Sequence, residues 1–305
     1  LGNMILVRDM AKRFGADASR FTILSGGEGL DDPNWETKMA ESLSQKFHQL
    51  LTFVKEHYNK GRTKKLPIDT WMESQLHLTV KEVTEAMEQT LFRTAIKKTF
   101  FDIQRDLRWY LRRCNNKPHQ NIMNAVIEAQ LVMLSPFIPH VCEEAWQLIG
   151  KTGFISSASW PKINNKKILS YDPEQLLQHV MEDLNYVMNI TKNKQPKEIH
   201  LYLAEPWKYE LYHHLAPLFK KTRNPKEIFQ ELLKTPLKTH VSPIQTILPK
   251  LLKQGYIPDC KTQHQEYEAL LNAQPFLHQE YKADIIIHQE APTVPKAQQA
   301  LPGKP

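Results

Sequence analysis

The sequence predicts a mainly α-helical protein in which a helical bundle is followed by a small α+β domain. Between residues 36 and 150, apolar residues recur every three or four positions over four separate stretches, which is the repeat of helices with one buried face. After residue 170, two short runs of strand type appear among further helical stretches. Glycine is scarce, with 10 residues in a chain of 305, and this favours helices over glycine-rich turns.

The N-terminal region carries two short helical patterns. Residues 7–14 predict a helix that stops at Gly15, and Asp17 is placed to cap a second helix that carries Phe21. The glycine-rich segment 26–29 then predicts a turn. It lacks both the Gly-Lys-Ser/Thr ending and the preceding strand of a phosphate-binding loop, so we do not expect nucleotide binding there.

Four amphipathic helices follow and form the predicted bundle. Their apolar stripes comprise Met39, Leu43, Phe47, Leu50 and Val54; Met72, Leu76, Val80, Val83 and Met87; Ile96, Phe100, Ile103, Leu107 and Leu111; and Ile122, Val126, Ala129 and Met133. Such helices bury their apolar faces by packing stripe against stripe, which is the arrangement of a bundle. The basic loop 59–67 separates the first two helices, and Ile68 and Asp69 are placed to begin the second as staple and N-cap.

The helical periodicity stops in the polar stretch 151–170, which predicts a domain boundary. Beyond it, Asp172 precedes a proline that suits the first turn of a helix. Residues 199–203 and 284–288 are the two strand-type runs. Helices separate these two runs, so the sequence predicts a small α+β domain.

Two helix starts and a tail complete the C-terminal half. Asn224 and Ser242 each precede a proline, as an N-cap precedes a proline at the first helical position. The last residues, from Pro292 to Pro305, are rich in proline, lysine and glutamine. They have little apolar surface to bury, so we expect this tail to be flexible until a partner orders it.

Composition narrows the class of protein. The net charge of +7 suits a polyanionic partner such as a nucleic acid, although many basic proteins bind none. Cys114, Cys142 and Cys260 are far apart, which argues against a disulfide framework or a zinc site and fits a reducing compartment. No apolar run approaches the roughly 18 residues that span a bilayer, and no secretory signal opens the chain, so we expect a cytoplasmic protein.

A basic helix carries the densest functional signal. Over residues 93–113 the charged residues are Arg93, Lys97, Lys98, Arg105, Arg108, Arg112 and Arg113 against Asp102 and Asp106. At about 100° per residue, Arg105, Arg108 and Arg112 lie roughly 100–160° from the apolar Leu107, with Trp109 beside them. We call these three arginines the arginine ridge. Arginine can hold a phosphate with two parallel hydrogen bonds, so the ridge predicts a nucleic-acid contact; the alternative is a solvated helix face.

The segment 134–146 is a second candidate. Two prolines end one helix, and His140 stands near the start of the next, with Glu143 and Glu144 in its first turn. A catalytic interpretation would pair His140 with one of these acids, but no nucleophile or metal partner stands at a suitable spacing. We therefore interpret the segment as a packing motif.

Several segments together resemble one family. They are residues 106–113 (Asp-Leu-Arg-Trp-Tyr-Leu-Arg-Arg), residues 136–140 with Glu143, Glu144 and Trp146, residues 158–161, residues 1–3, residues 15–18 with Arg20, and residues 202–208. Segments 136–146 and 158–161 resemble the bundle of class I aminoacyl-tRNA synthetases. Segments 106–113 and 202–208 resemble archaeal-type leucyl-tRNA synthetases in particular. The resemblance runs over nearly the whole chain and in the family's order.

The resemblance implies four regions. Residues 1–35 would be a remnant of the catalytic and stem-contact region, and residues 36–165 an anticodon-binding-type helical bundle. Residues 166–290 would form a C-terminal α+β tRNA-binding domain, and residues 291–305 a flexible tail. Because the partners of the first region lie upstream, we expect its apolar residues, including Ile5, Phe21 and Leu24, to be exposed.

The family's chemistry lies elsewhere. Its full-length members use ATP, with Mg²⁺, to attach leucine to tRNA-Leu, in a Rossmann domain upstream of the counterpart of Leu1. Gly2 and Asn3 resemble only the flank of the family's ATP-binding Lys-Met-Ser-Lys-Ser loop. The resemblance therefore implies no catalytic residue, metal or cofactor in this chain, which we expect to be inactive alone.

The implied partner is tRNA-Leu, together with the missing catalytic half, and neither a membrane nor DNA. The bundle would lie along the inner corner and anticodon stem of the tRNA. The residues that would contact the phosphate backbone of the tRNA are Arg105, Arg108, Trp109, Arg112 and Arg113. Lys296 and Lys304 would approach the long variable arm. The family usually continues a few residues past the position of Pro305, which leaves recognition of the arm by this tail open.

Three readings of the chain remain. The first is part of a ligase, either a cut sequence or one subunit of a split enzyme; Leu1 in place of methionine favours a cut sequence. The second is a free-standing tRNA-binding module without ligase activity, and the third is a helical scaffold with incidental charge. The matching half of an isoleucyl- or valyl-tRNA synthetase is a further alternative within the family.

Overall fold

Helices form over all four apolar stripes, and the chain is mainly α-helical as predicted. The computed structural model describes residues 5–31, 34–193, 195–254, 262–289 and 297–305. The chain divides into two compact units, residues 1–169 and 170–305, at the end of the stretch in which the helical periodicity stops. The two units have separate apolar cores.

The named secondary-structure elements of the first unit are all helices over its described residues. Its α-helices are α1 (Val7–Phe14), α2 (Ala16–Ser25), α3 (Thr37–His57), α4 (Pro67–Glu88), α5 (Phe92–Ile96), α6 (Ile103–Arg113), α7 (Gln120–Leu134) and α8 (Pro139–Leu148). A π-helix, Lys97–Asp102, joins α5 directly to α6. Two short 3₁₀ turns, Ile155–Ser157 and Asn165–Lys167, follow α8.

One core joins the N-terminal helices to the bundle. Phe21 of α2 is 0% exposed and makes edge-to-face ring contacts with Phe47 and Phe100, at 5.7 and 5.2 Å between centroids. Leu24 is partly buried against the same core. The expected exposure of Phe21 and Leu24 is therefore wrong, because the bundle itself supplies partners for this face of α2. Leu6 and Val7, at the start of α1, are exposed.

Two predicted N-caps act differently in the structure. The second bundle helix begins at Pro67, so Asp69 is its third residue; it reaches back to accept a hydrogen bond from the Leu66 amide at 2.6 Å. Asp17 does not cap α2, whose N-cap is Gly15. Its carboxylate instead accepts a hydrogen bond from the amide of Val141 at 2.8 Å, in the first turn of α8. Asp17 thus caps a helix that lies more than 100 residues later.

The second unit mixes helices with one small sheet. Its elements are α9 (Pro173–Thr191), β1 (Glu198–Tyr202), α10 (Pro206–Lys221), α11 (Pro225–Leu233), α12 (Val241–Gln254), α13 (Gln263–Tyr281) and β2 (Asp284–His288), with 3₁₀ turns at Pro236–His240 and Ala297–Gln299. Within the described ranges, β1 and β2 pair in parallel, with Glu198 opposite Asp284 and Tyr202 opposite His288. Helices α10–α13 form the crossover that a parallel pair requires.

Helix starts in the second unit follow local sequence rules. Asp172 accepts hydrogen bonds from the amides of Glu174 and Gln175, and α9 begins at Pro173 as predicted. Asn224 caps α11 in the same way through the Lys226 amide. Ser242 does not cap its helix, because α12 begins at Val241, directly after a 3₁₀ turn.

The described end of the tail packs onto the second unit, in contrast to the predicted flexibility of residues 291–305. The ammonium group of Lys208, which is 2% exposed, donates to the carbonyl oxygens of Gln298 and Ala300 at 2.6 and 2.8 Å. The Gly303 amide donates to the buried carboxylate of Glu266 at 2.7 Å. Buried charged groups need hydrogen-bond partners. Residues 298–303 supply such partners for Lys208 and Glu266. Positions 291–296 lie outside the described residues.

Among the helices given above, none combines the length and apolarity that a membrane crossing requires. Within the described residues, no three His, Cys, Asp or Glu side chains converge so that they could hold a metal ion.

Candidate nucleic-acid interface

Helix α6 has a buried face and a cationic face. Ile103, Leu107 and Tyr110 are buried in the core of the first unit. Arg105, Arg108 and Arg112 are exposed, so the arginine ridge lies on the solvent side of the helix. Tyr110 is completely buried, whereas Leu111, predicted for the apolar stripe, packs at the edge of the core. A rigid helix therefore fixes the spacing of the three guanidinium groups along the surface.

The arginines of the ridge are not electrostatically equivalent. Arg105 donates to Asp102 at 3.0 Å and to Asp106 at 3.1 Å. Arg108 is exposed, and no ion pair is recorded for it among the residues that the structure describes. Because two carboxylates already offset the charge of Arg105, Arg108 has more charge to offer a phosphate group.

An aromatic side chain accompanies the C-terminal end of the ridge. The guanidinium carbon of Arg112 lies 5.8 Å from the ring centroid of Trp109, within cation–π range. Trp109 is half-buried and packs against the core, which holds its ring in place. Arg113 is also half-buried. The predicted ridge residues thus lie along one exposed side of α6, with Trp109 beside Arg112 at its C-terminal end.

A π-helix immediately before α6 sets the rotation of the ridge. The Ile103 amide, which would donate to Thr99 in an α-helix, donates to the carbonyl of Lys98 instead. Gln130 of α7 takes its place, with its side-chain amide 2.9 Å from the Thr99 carbonyl. Both Thr99 and Gln130 are buried. The extra residue in this turn rotates α6 by about 100° relative to an uninterrupted helix, so it helps decide where the arginines point.

A buried polar network holds the C-terminal end of α6. Asp69 is fully buried and accepts two hydrogen bonds from the Arg62 guanidinium, at 2.6 and 2.7 Å. It also accepts from the Tyr110 hydroxyl at 2.6 Å, and that hydroxyl in turn accepts from the His119 amide at 2.8 Å. The network therefore joins the start of α4 to the end of α6 and to the loop before α7.

The ionisation of this network follows from its contacts. Burial alone would raise the pKa of Asp69, but the hydrogen bonds from Arg62, Tyr110 and the Leu66 amide together hold that pKa below its usual value. Burial and the bond to Asp69 raise the pKa of Tyr110 far above its usual value. Tyr110 therefore remains protonated and keeps donating, while Asp69 remains a carboxylate.

Sequence reasoning missed most of these supporting contacts. The sequence pattern places Asp69 only at a helix start, and it singles out neither Gln130 nor Arg62. The available signal is weak: Arg62 is one of several basic residues in the loop 59–67, and Gln130 is a glutamine among apolar neighbours in α7. Both contacts join residues that are distant in sequence, which a pattern of spacings does not connect.

The other candidate positions lie away from the ridge or outside the described residues. Lys304 is exposed in the last turn of the second unit, where its backbone pairs with that of Leu301. Gly2, Asn3 and Lys296 are not among the described residues. His140 contacts the buried Asp17 at 2.8 Å, and Glu143 accepts from the Ile155 amide at 3.0 Å. These contacts hold α8 against α2 and the segment after it, as a packing motif does.

One protein-family model matches the part of the chain that contains the arginine ridge. Residues 69–201 match the model of the anticodon-binding domain of tRNA ligases. That range includes all of α6 together with Asp69 and Gln130. A structural match is weaker: the crystal structure of the ternary complex of Agrobacterium radiobacter K84 agnB2 LeuRS–tRNA–LeuAMS has a TM-score of 0.45 and 22% identity, over 55% of this chain and 22% of that one.

Curated relatives align with the entire chain. Proteins named leucine–tRNA ligase are 32% identical over 310 residues in Aeropyrum pernix, 31% over 315 residues in Pyrococcus horikoshii and 32% over 309 residues in Methanocaldococcus jannaschii. Each alignment covers 100% of this chain and 32% of the relative. The chain thus spans about a third of the length of the curated relatives it matches.

Proposed function

Because the chain corresponds over its whole length to the C-terminal part of archaeal leucine–tRNA ligases, we propose that it is the tRNA-binding portion of a leucyl-tRNA synthetase. The complete protein would attach leucine to tRNA-Leu using ATP and Mg²⁺, and this chain would hold the RNA. The observation that carries the proposal is the exposed arginine ridge on α6, which lies inside the anticodon-binding match at residues 69–201.

The ridge suits the phosphate backbone rather than the bases. A guanidinium group can bind a phosphate through two parallel hydrogen bonds, and it keeps its charge at any physiological pH. Such contacts fix the position of an RNA but carry no sequence information. Trp109 adds a ring that stabilises Arg112 beside the same surface. The first unit would therefore position the RNA, and it would do so without reading its sequence.

Specificity for tRNA-Leu would come from the second unit. We assign this unit to the long variable arm, with Lys304 at its exposed end and Lys296 in the segment before it. Unpaired bases of an arm can be recognised by polar and aromatic side chains, whereas the shape of an RNA helix is read through its backbone. A tRNA with a short variable arm would then lose contacts only with this unit.

The chemistry would belong to the part of the protein that these residues do not include. Gly2 and Asn3 would be the flank of the ATP-binding loop, and this chain by itself would form no leucyl-tRNA. The partners are then tRNA-Leu and the catalytic part of the same enzyme, and translation makes the cytoplasm the expected compartment.

Equilibrium binding tests the proposal. Fluorescence anisotropy with labelled tRNA-Leu should show binding that weakens as the salt concentration rises, because each phosphate contact releases counterions. A leucylation assay of the chain alone should show no product. Failure to bind tRNA-Leu even at low salt would contradict the proposal.

A further inference from the structure

Two loops lie side by side at one end of the first unit and are not part of the arginine ridge. Residues 58–66 connect α3 to α4, and residues 114–119 connect α6 to α7; we call them the paired loops. The amide of Arg62 donates to the Pro118 carbonyl at 2.9 Å, and the Gln120 amide donates to the Arg62 carbonyl at 3.0 Å. Their backbones therefore run together like a short piece of parallel sheet.

The conformation of the first loop is fixed at several points. The side chains of Asn59 and Asn124 hold it to α7, through bonds of 2.8 Å to the Asn59 amide and 2.7 Å between the side-chain amides. Arg62 is held by Asp69 and donates to the Lys117 carbonyl at 2.9 Å. A polar surface loop ordinarily loses conformational freedom when it binds a ligand. Here that ordering takes place on folding.

The paired loops hold their lysines outward. Lys60, Lys64 and Lys117 are exposed, and no ion pair is recorded for them among the described residues. Lys65 is paired with Glu73 at 3.2 Å, and Asp69 is engaged by Arg62. The surface is therefore positive and largely without compensating carboxylates, apart from Glu56 at its edge.

A cleft of about 470 Å³ opens between the loops. Lys60, Arg62, Asn116 and Lys117 line it, and each can donate hydrogen bonds to an oxygen atom. Lysine is a mobile point charge that suits single phosphates, and the asparagine amide adds a neutral donor. These groups together match the anionic oxygens of a phosphodiester and the hydroxyl of its ribose.

We propose that the paired loops are a second RNA contact, which seats a phosphodiester of the bound tRNA in the cleft between Lys60 and Lys117. This inference rests on the proposed function, because the RNA is the one that the arginine ridge would hold. Asp69 links the two contacts: it fixes Arg62 in the first loop and Tyr110 at the end of α6. The tRNA backbone would thus meet two preorganised cationic surfaces on one rigid unit.

A charge-matched pair of variants of the full chain tests this proposal. The first replaces Lys60, Lys64 and Lys117 by glutamine. The control replaces Lys12, Lys38 and Lys81, which are also exposed and lie on α1, α3 and α4, by glutamine. The dependence of log K on log salt for tRNA-Leu should become shallower by about two to three in the loop variant, since each lost phosphate contact removes about one. Affinity at low salt should fall roughly tenfold or more.

Each outcome decides the matter. A loss confined to the loop variant supports the proposal. Equal losses in both variants would show a general charge effect and overturn it. Unchanged binding by the loop variant would overturn it while the proposed function stands. If the wild-type chain binds no tRNA, both fail together. Thermal denaturation should give unchanged midpoints in both variants, because none of the six lysines is buried.

Discussion

The hydroxyl of Tyr110 lies 2.6 Å from the carboxylate of Asp69, 41 residues earlier in the chain. This one contact joins the exposed cationic helix α6 to the start of α4 inside the core. Because Asp69 also holds Arg62, the position of the arginine ridge and that of the loop 58–66 depend on a single carboxylate. Burying such a group is costly unless it is fully hydrogen-bonded, as it is here.

Replacing Asp69 with asparagine should destabilise the protein in a pH-dependent way. The contacts of Asp69 hold its folded-state pKa below the unfolded value of about 3.9, so its contribution is complete above that pH and is lost as the pH falls through the folded-state pKa. Near pH 6 the variant should lose about 3 kcal/mol of unfolding free energy. Urea titrations from pH 6 to pH 3 should show the difference shrinking, and a constant difference would contradict this account.

Gly61 should tolerate alanine worse than Gly150 does. Both have positive φ, 126° and 76°, but a Cβ on Gly61 would lie 2.3 Å from the Pro118 carbonyl oxygen, whereas one on Gly150 meets nothing within 4 Å. Gly61→Ala must push the paired loops apart, so it should cost about 1–3 kcal/mol more than Gly150→Ala. Equal denaturation midpoints for the two variants would show that the loops are not held as described.

The ridge arginines should differ in their contribution to RNA binding. Arg108→Ala and Arg112→Ala should each weaken binding of tRNA-Leu and reduce the salt slope by about one. Arg105→Ala should have a smaller effect, because Asp102 and Asp106 already offset its charge. Binding at two salt concentrations checks the order. An unchanged affinity in the Arg108→Ala, Arg112→Ala double variant would remove the ridge from the interface.

Gln130 should be needed for the π-helix that precedes the ridge. Gln130→Leu introduces an apolar side chain of similar size and leaves the Thr99 carbonyl without this donor, which should cost about 1–3 kcal/mol. The control is Gln120→Leu, the same substitution at the half-buried start of α7. Similar stability losses in both glutamine variants would argue against a specific role for Gln130.

Local patterns predicted most of the elements. The apolar stripes located the bundle helices, and Asp172 and Asn224 each cap the helix that follows them. These predictions succeed because a stripe or a cap depends on residues within one or two turns. The position of the ridge on the solvent side of α6 has the same origin, since Leu107 and the arginines share one short helix.

The contacts that position the site could not be predicted in this way. Asp17 caps α8 from more than 100 residues away, Gln130 satisfies the π-helix from 31 residues away, and Phe21 finds its partners in α3 and the π-helix. Each depends on which helices become neighbours, and a spacing pattern does not contain that information. The docking of the last residues on Lys208 was hidden for the same reason, because a lysine in a helix gives no sign that it will be buried.

Specific binding of tRNA-Leu tests the central claim most directly. The full chain should be titrated with tRNA-Leu and with the same tRNA carrying a shortened variable arm, each at two salt concentrations. We predict that both bind in a salt-dependent manner, because the proposed contacts of the arginine ridge are with the backbone that both RNAs share, and that tRNA-Leu binds more tightly through the proposed contacts of the second unit. Equal affinities would contradict the assignment of the variable arm, and no binding to either RNA would contradict the tRNA-binding function itself.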